Sequence, residues 1–99
     1  MKVVTLCGSM RFAQQMQEIA LELEIKQGYC VLTPISGGSV PPSEKEREKL
    51  AQAHFKKIDL SDAVYVVNIG GYIGESVSRE VRYAQEHNKE IIYHENISI

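Results

Sequence analysis

The sequence predicts a small, doubly wound α/β domain, in which a four-stranded parallel sheet has helices on both faces. Short apolar segments alternate along the chain with longer segments whose apolar residues recur at helical spacing. The short segments are apolar throughout, which is typical of parallel strands buried on both faces. With 99 residues the chain has room for one core, so we predict a single domain spanning residues 1–99.

The strands and helices follow in order from this pattern. Segments rich in β-branched and apolar residues are the predicted strands: 2–7, 29–33, 63–68 and 90–93. Segments with helical spacing are the predicted helices: about 10–27, about 44–58 and about 75–86. Right-handed crossovers between parallel strands make 2-1-3-4 the simplest strand order.

Residues typical of helix ends support these bounds. Gly28 and Asn88 suit the left-handed conformation that follows a helix C-terminus. Ser43 and Glu46 form a capping-box pattern at the start of the second helix. The apolar content of that helix is low. It consists of Leu50, Ala53 and Ile58, with His54 on the same face.

Composition and charge exclude several classes of function. A net charge of −2 provides no broad basic field, so a nucleic-acid polymer is not an expected partner. No apolar run approaches the roughly 20 residues that span a bilayer, so we expect no membrane insertion. Met1 and Lys2 lead directly into a strand without a signal-peptide profile. We therefore expect a cytoplasmic protein.

The cysteines and histidines show no spacing typical of a metal or redox motif. Cys7 and Cys30 are too far apart for a CxxC pair, and we interpret them as small buried hydrophobic residues. His54, His87 and His94 lack the spacing of a zinc site. We expect neither a bound metal nor a cofactor.

Glycine-rich loops follow the first and third predicted strands. Because the carboxyl ends of parallel strands meet at one sheet edge, residues 8–11 and 70–74 should lie side by side. Gly8 offers a backbone N–H, Ser9 a hydroxyl and Arg11 a guanidinium, and these groups suit a phosphate or carboxylate. A simple helix cap at Ser9 with an exposed Arg11 is the alternative.

The loop over residues 34–42, which follows the second strand, is rich in Pro, Gly and Ser. Its position at a strand's carboxyl end suits the rim or lid of a ligand site. A plain surface connector is the alternative.

The third helix places one carboxylate, Glu80, at the edge of an apolar stripe. The stripe consists of Val77, Val81 and Ala84. A carboxylate in this position, one turn inside a helix that faces a ligand loop, is a candidate nucleophile or base. A solvated carboxylate, or one paired with a neighbouring arginine, is the alternative. Ser76 and Tyr83 lie about one turn to either side and could donate hydrogen bonds to Glu80.

In this order and spacing, the residues resemble the nucleoside 2-deoxyribosyltransferase family and the related deoxynucleoside 5′-monophosphate N-glycosidases. The resemblance covers nearly the whole chain, through the segments 7–12, 59–62 and 74–84. It implies a Rossmann-like or flavodoxin-like fold, with Glu80 as the catalytic nucleophile. It also implies that Ser9 and Arg11 contact a phosphate, and that Gly8, Gly74, Ser76 and Tyr83 belong to the substrate site.

The resemblance implies a reaction in which Glu80 attacks the anomeric carbon of a deoxyribosyl group and the base departs. A second group must protonate the base. The family commonly has an acidic residue near the position of His54, so His54 is a candidate acid or orienting group, and Glu75 and Asp59 are alternatives.

The implied partner is a nucleoside or nucleotide. A homo-oligomer is also implied, because neighbouring subunits complete the site in this family. A binding module of the same architecture, which holds a nucleotide without turning it over, is the alternative function.

Overall fold

A four-stranded parallel sheet forms the centre of the structure, a computed structural model that describes residues 1–35 and 38–96. The strands are β1 (Val3–Gly8), β2 (Cys30–Leu32), β3 (Ala63–Val67) and β4 (Glu90–Tyr93). Their spatial order is β2-β1-β3-β4 and every neighbouring pair is parallel, which confirms the predicted topology. Residues 36–37 of the predicted 34–42 loop lie outside the described residues.

The helices lie close to their predicted bounds. They are α1 (Ala13–Glu22), α2 (Glu44–Asp59) and α3 (Glu75–Glu86). A 3-10 turn precedes α1, and a π-helical turn continues it to Gln27. The next residue, Gly28, has a left-handed conformation with φ of 69°. The capping box at Ser43 is present, and Asn88 is left-handed with φ of 59°. Among the described helices, none is long and apolar enough to cross a membrane.

Helices cover both faces of the sheet, which confirms the predicted doubly wound α/β class. On one face, α1 packs against β1 and β3. This cluster consists of Leu6, Met16, Ile19, Leu23 and Val67. On the other face, α2 and α3 enclose a second cluster. Its buried members are Cys7, Ile58, Val64, Val66, Val77, Val81 and Ala84.

Only the C-terminal part of α2 packs against the sheet. Residues 44–53 are exposed throughout, whereas His54 and Ile58 are buried and Phe55 is partly buried. The prediction that Ala53 belongs to the packed face was wrong, and Leu50 is 40% exposed. Phe55 packs instead, because its ring lies against Tyr83 of α3, with 4.8 Å between ring centroids.

Polar contacts fix the end of α2 to the sheet. The Ser61 hydroxyl donates to the Lys57 carbonyl at 2.7 Å and accepts a hydrogen bond at 2.6 Å from the buried hydroxyl of Thr5 in β1. The Asp62 carboxylate accepts a hydrogen bond from the backbone N–H of Val3 at 2.8 Å. The segment that links α2 to β3 therefore holds the C-terminal end of α2 in place, and with it His54.

Candidate functional site

A cleft with a volume of about 1170 Å³ opens at the carboxyl-terminal edge of the sheet. Its walls come from the loop after β1, the described part of the loop after β2, one side of α2 and the start of α3. Ligands of doubly wound sheets bind at this edge, because the loops that follow the strands converge there. The described part of the loop after β2 therefore forms part of the rim of the cleft.

Most of the predicted site residues line this cleft. They are Gly8, Ser9, His54, Gly74, Ser76 and Glu80. Gly8 lies where β1 approaches α1 and β3 closely, since a Cβ atom there would lie 2.9 Å from Met16 Sδ and 2.9 Å from Val67 Cβ. A residue without a side chain is thus required where the strand enters the cleft.

Glu80 faces the cleft rather than open solvent. Its carboxylate Oε1 lies 3.3 Å from His54 Nε2, and its side chain is only 18% exposed. The His54 ring comes from the buried end of α2 and reaches Glu80 across the gap between the two helices. The interpretation of Glu80 as a freely solvated carboxylate therefore does not hold.

The thiol of Cys7 completes a cluster with these two side chains. Cys7 Sγ lies 3.7 Å from His54 Nε2, and the cysteine is fully buried at the end of β1. Burial raises the pKa of the Cys7 thiol well above its ordinary value, and the charge of Glu80 and a hydrogen bond to that carboxylate raise it further. The thiol is therefore protonated at neutral pH.

The tautomer of His54 follows from its surroundings. Its Nδ1 atom is buried and has no hydrogen-bond partner among residues 1–35 and 38–96. Nε2 lies 3.3 Å from the Glu80 carboxylate, which can only accept, so we assign a hydrogen to Nε2 that donates to Glu80. This hydrogen bond holds the Glu80 carboxylate in one orientation.

The start of α3 presents backbone donors to the cleft. Its N-cap residue is Gly74, whose lack of a side chain leaves the first-turn N–H groups without a side-chain acceptor. Residues 74–77 line the cleft. Because a helix N-terminus carries partial positive charge, this wall favours an anionic or electron-rich group.

Arg11 lies beside the cleft instead of in its lining. Its guanidinium carbon lies 3.9 Å from the centroid of the Tyr72 ring, and Tyr72 itself lines the cleft. Ser9 caps the turn that carries Arg11, accepting a hydrogen bond from the Arg11 backbone N–H at 3.3 Å. The helix-cap interpretation of Ser9 is therefore correct, and the Ser9 side chain also borders the cleft.

Tyr83 does not orient Glu80. Its hydroxyl donates to the Asp59 carboxylate, and its ring stacks on His87, with 4.0 Å between ring centroids. The hydrogen bond to Asp59 raises the pKa of the Tyr83 hydroxyl. Asp59, one of the alternative acids, is thus paired with Tyr83 and does not line the cleft. Glu75, the other alternative, lines the cleft.

Sequence reasoning missed Cys7 as a member of the site. Successive strand residues point to opposite faces, so Cys7 shares the face of Thr5, whose hydroxyl contacts α2. Leu6 points to the α1 side. The alternation in β1, read together with the helix predicted to hold His54, was the available signal.

The fold is similar to that of a 2-deoxyribosyltransferase from the psychrotolerant bacterium Bacillus psychrosaccharolyticus, a biocatalyst for nucleoside synthesis. The TM-score is 0.68 with 14% sequence identity, over 97% of this chain and 77% of that enzyme. No protein-family model and no curated protein matches the sequence. At this level of identity, the similarity establishes a shared fold.

Proposed function

We propose that the protein breaks the N-glycosidic bond of a deoxynucleoside or deoxynucleoside 5′-monophosphate, with Glu80 as the nucleophile. One observation carries this proposal: the Glu80 carboxylate lies in the wall of the cleft and is held there by His54 at 3.3 Å. The shared fold with a 2-deoxyribosyltransferase supports the same class of reaction.

In the proposed reaction, a Glu80 carboxylate oxygen attacks the anomeric carbon while the bond to the base nitrogen breaks. The bonding electrons leave with the base, which takes up a proton, and an ester joins the sugar to Glu80. Water, or the nitrogen of a second base, then attacks the same carbon and releases the carboxylate. The His54 N–H acts on Glu80 and fixes its orientation toward the sugar.

Of His54, Asp59 and Glu75, one residue is the favoured donor of the proton that the departing base takes up. The Nε2 hydrogen of His54 is directed at Glu80, and the Asp59 carboxylate accepts a hydrogen bond from Tyr83. Glu75 lines the cleft in the first turn of α3, about 1.4 turns of helix before Glu80. We therefore propose that Glu75, in its protonated form, transfers this proton to the base and is left as a carboxylate.

A panel of deoxynucleosides and their 5′-monophosphates, incubated with the protein with and without a second free base, tests the proposed function. We expect release of free base, measured by liquid chromatography, from at least one member of the panel. Ligand-induced increases in melting temperature without base release would support the binding module instead. The absence of both effects across the panel would contradict any nucleotide function.

The Arg11→Ala variant tests whether the loop after β1 contacts a phosphate. We expect about 10-fold to 100-fold weaker binding of monophosphates, the equivalent of one charge-assisted hydrogen bond of about 1.5–3 kcal/mol, with unchanged binding of nucleosides. Calorimetric titration measures both. Arg82→Ala, which removes the same charge from an exposed position on α3, is the matched control. Equal weakening of nucleosides and monophosphates would refute the phosphate role.

A further inference from the structure

We propose that Cys7 Sγ, His54 Nε2 and a Glu80 carboxylate oxygen form a three-ligand site for a divalent metal ion of the zinc type. The three donor atoms lie within 4.8 Å of one another, although their residues are far apart in sequence. Each donor comes from a different element, namely β1, α2 and α3. Binding at this site is independent of whether the protein turns over a nucleoside.

The distances between the donor atoms fit a tetrahedral ion. Bonds of about 2.3 Å to sulfur and about 2.0–2.1 Å to nitrogen and oxygen place S and N roughly 3.5 Å apart, and N and O roughly 3.3 Å apart. The observed separations are 3.7 Å from Cys7 Sγ to His54 Nε2 and 3.3 Å from His54 Nε2 to Glu80 Oε1. These two separations match a tetrahedral ion. The third, from Cys7 Sγ to a Glu80 oxygen, lies within 4.8 Å, so shifts of up to about 1 Å would close the site.

The donor set selects the kind of ion. A thiolate, an imidazole and one carboxylate favour Zn²⁺ over Mg²⁺ or Ca²⁺, which prefer oxygen ligands. His54 and Glu80 line the cleft, whereas Cys7 is fully buried behind them. The fourth position of the tetrahedron therefore faces the cleft, where water or a ligand can occupy it.

Metal binding redistributes two protons. The Cys7 thiol releases its proton to solvent as the S–metal bond forms. The His54 hydrogen leaves Nε2, and a neutral ring then has it on Nδ1, for which the described residues provide no acceptor. Loss of such an outer partner typically weakens metal sites by about 10-fold to 100-fold. We therefore expect the ion to bind reversibly.

A bound ion would use the carboxylate of Glu80. If Glu80 is the nucleophile, as proposed above, Zn²⁺ inhibits base release because the metal–oxygen bond withdraws that carboxylate from the sugar. This consequence rests on the proposed function, whereas the metal site itself does not.

Titration of the metal-free protein with Co²⁺ tests the site. We expect saturation at one ion per chain, with a thiolate-to-cobalt charge-transfer band and the intense visible bands of a tetrahedral ion, both lost when Zn²⁺ displaces Co²⁺. Cys7→Ala should lose the charge-transfer band, and Cys30→Ala, which removes the other cysteine, should retain it. Glu80→Gln should weaken Co²⁺ binding at least 10-fold.

Absence of a saturable thiolate band in the wild-type protein, or its persistence in Cys7→Ala, would overturn the proposed site. The first of these observations needs no variant, so it holds even if Cys7→Ala folds poorly. Saturable cobalt binding in a protein that releases no base would retain the metal site and reject the glycosidic reaction. Base release that is unaffected by saturating Zn²⁺, in a protein whose Co²⁺ binding depends on Glu80, would retain the metal site and reject Glu80 as the nucleophile.

Discussion

Replacement of Glu80 with glutamine is expected to lower the rate of base release by on the order of 10³-fold to 10⁶-fold, the range seen when a catalytic nucleophile is removed. Glutamine keeps the volume of the side chain and can still accept a hydrogen bond from His54 through its carbonyl oxygen. It loses the negative charge that attacks the anomeric carbon. Initial rates of base release, measured chromatographically on the best substrate of the panel, give the effect directly.

Glu86→Gln is the matched control for this experiment. Glu86 lies on the same helix as Glu80, is exposed, and does not line the cleft, so its neutralisation should leave the rate unchanged. Denaturant unfolding of both variants shows whether either substitution alters the fold. Base release by Glu80→Gln at the wild-type rate would reject Glu80 as the nucleophile.

Replacement of Ile58 with alanine is expected to lower the free energy of unfolding by about 2–5 kcal/mol. Ile58 is fully buried, and it is one of the few apolar residues that hold α2 against the sheet. The truncation leaves a cavity that its neighbours fill only in part. Since small domains have a total stability of about 5–15 kcal/mol, the loss is a large fraction of the whole. Urea unfolding measures it.

Leu60→Ala provides the comparison for Ile58→Ala. Leu60 follows α2 directly but is 61% exposed, so its truncation should change the free energy of unfolding by no more than about 0.5 kcal/mol. Ile58 lies one helical turn from His54, so its truncation should also slow base release under conditions where the protein remains folded. A loss below 1 kcal/mol for Ile58→Ala would mean that α2 is held mainly by its polar contacts.

Strong local signals made the fold predictable from the sequence. The all-apolar segment that became β3 is buried on both faces, as its composition indicated. Helix α3 begins and ends at its predicted residues, because Gly74 precedes it and Asn88 adopts the left-handed conformation after it. At such positions, local backbone preferences and tertiary packing favour the same conformation.

The candidate site was only partly predictable, because side-chain contacts between elements depend on helix rotation. Helical spacing alone did not distinguish a packed Ala53 from a packed Phe55, and the aromatic contact with Tyr83 decided between them. The same contact region turns the Tyr83 hydroxyl toward Asp59 and away from Glu80. The alternation in β1 indicated the face of the sheet on which Cys7 lies, but not that Cys7 would meet His54, which is 47 positions away.

Because α2 is packed only near its C-terminal end, any tilt of this helix displaces its N-terminal end most. Its first turn lies about 15 Å from His54, at a rise of about 1.5 Å per residue. A rotation of about 5° about the anchored end therefore moves that turn by more than about 1 Å. Arg47 and Leu50 line the cleft from the exposed N-terminal part of α2, whereas His54 lies at its packed C-terminal part. A change in the tilt of α2 would therefore alter the width of the cleft at Arg47 and Leu50 more than the distance from His54 to Glu80.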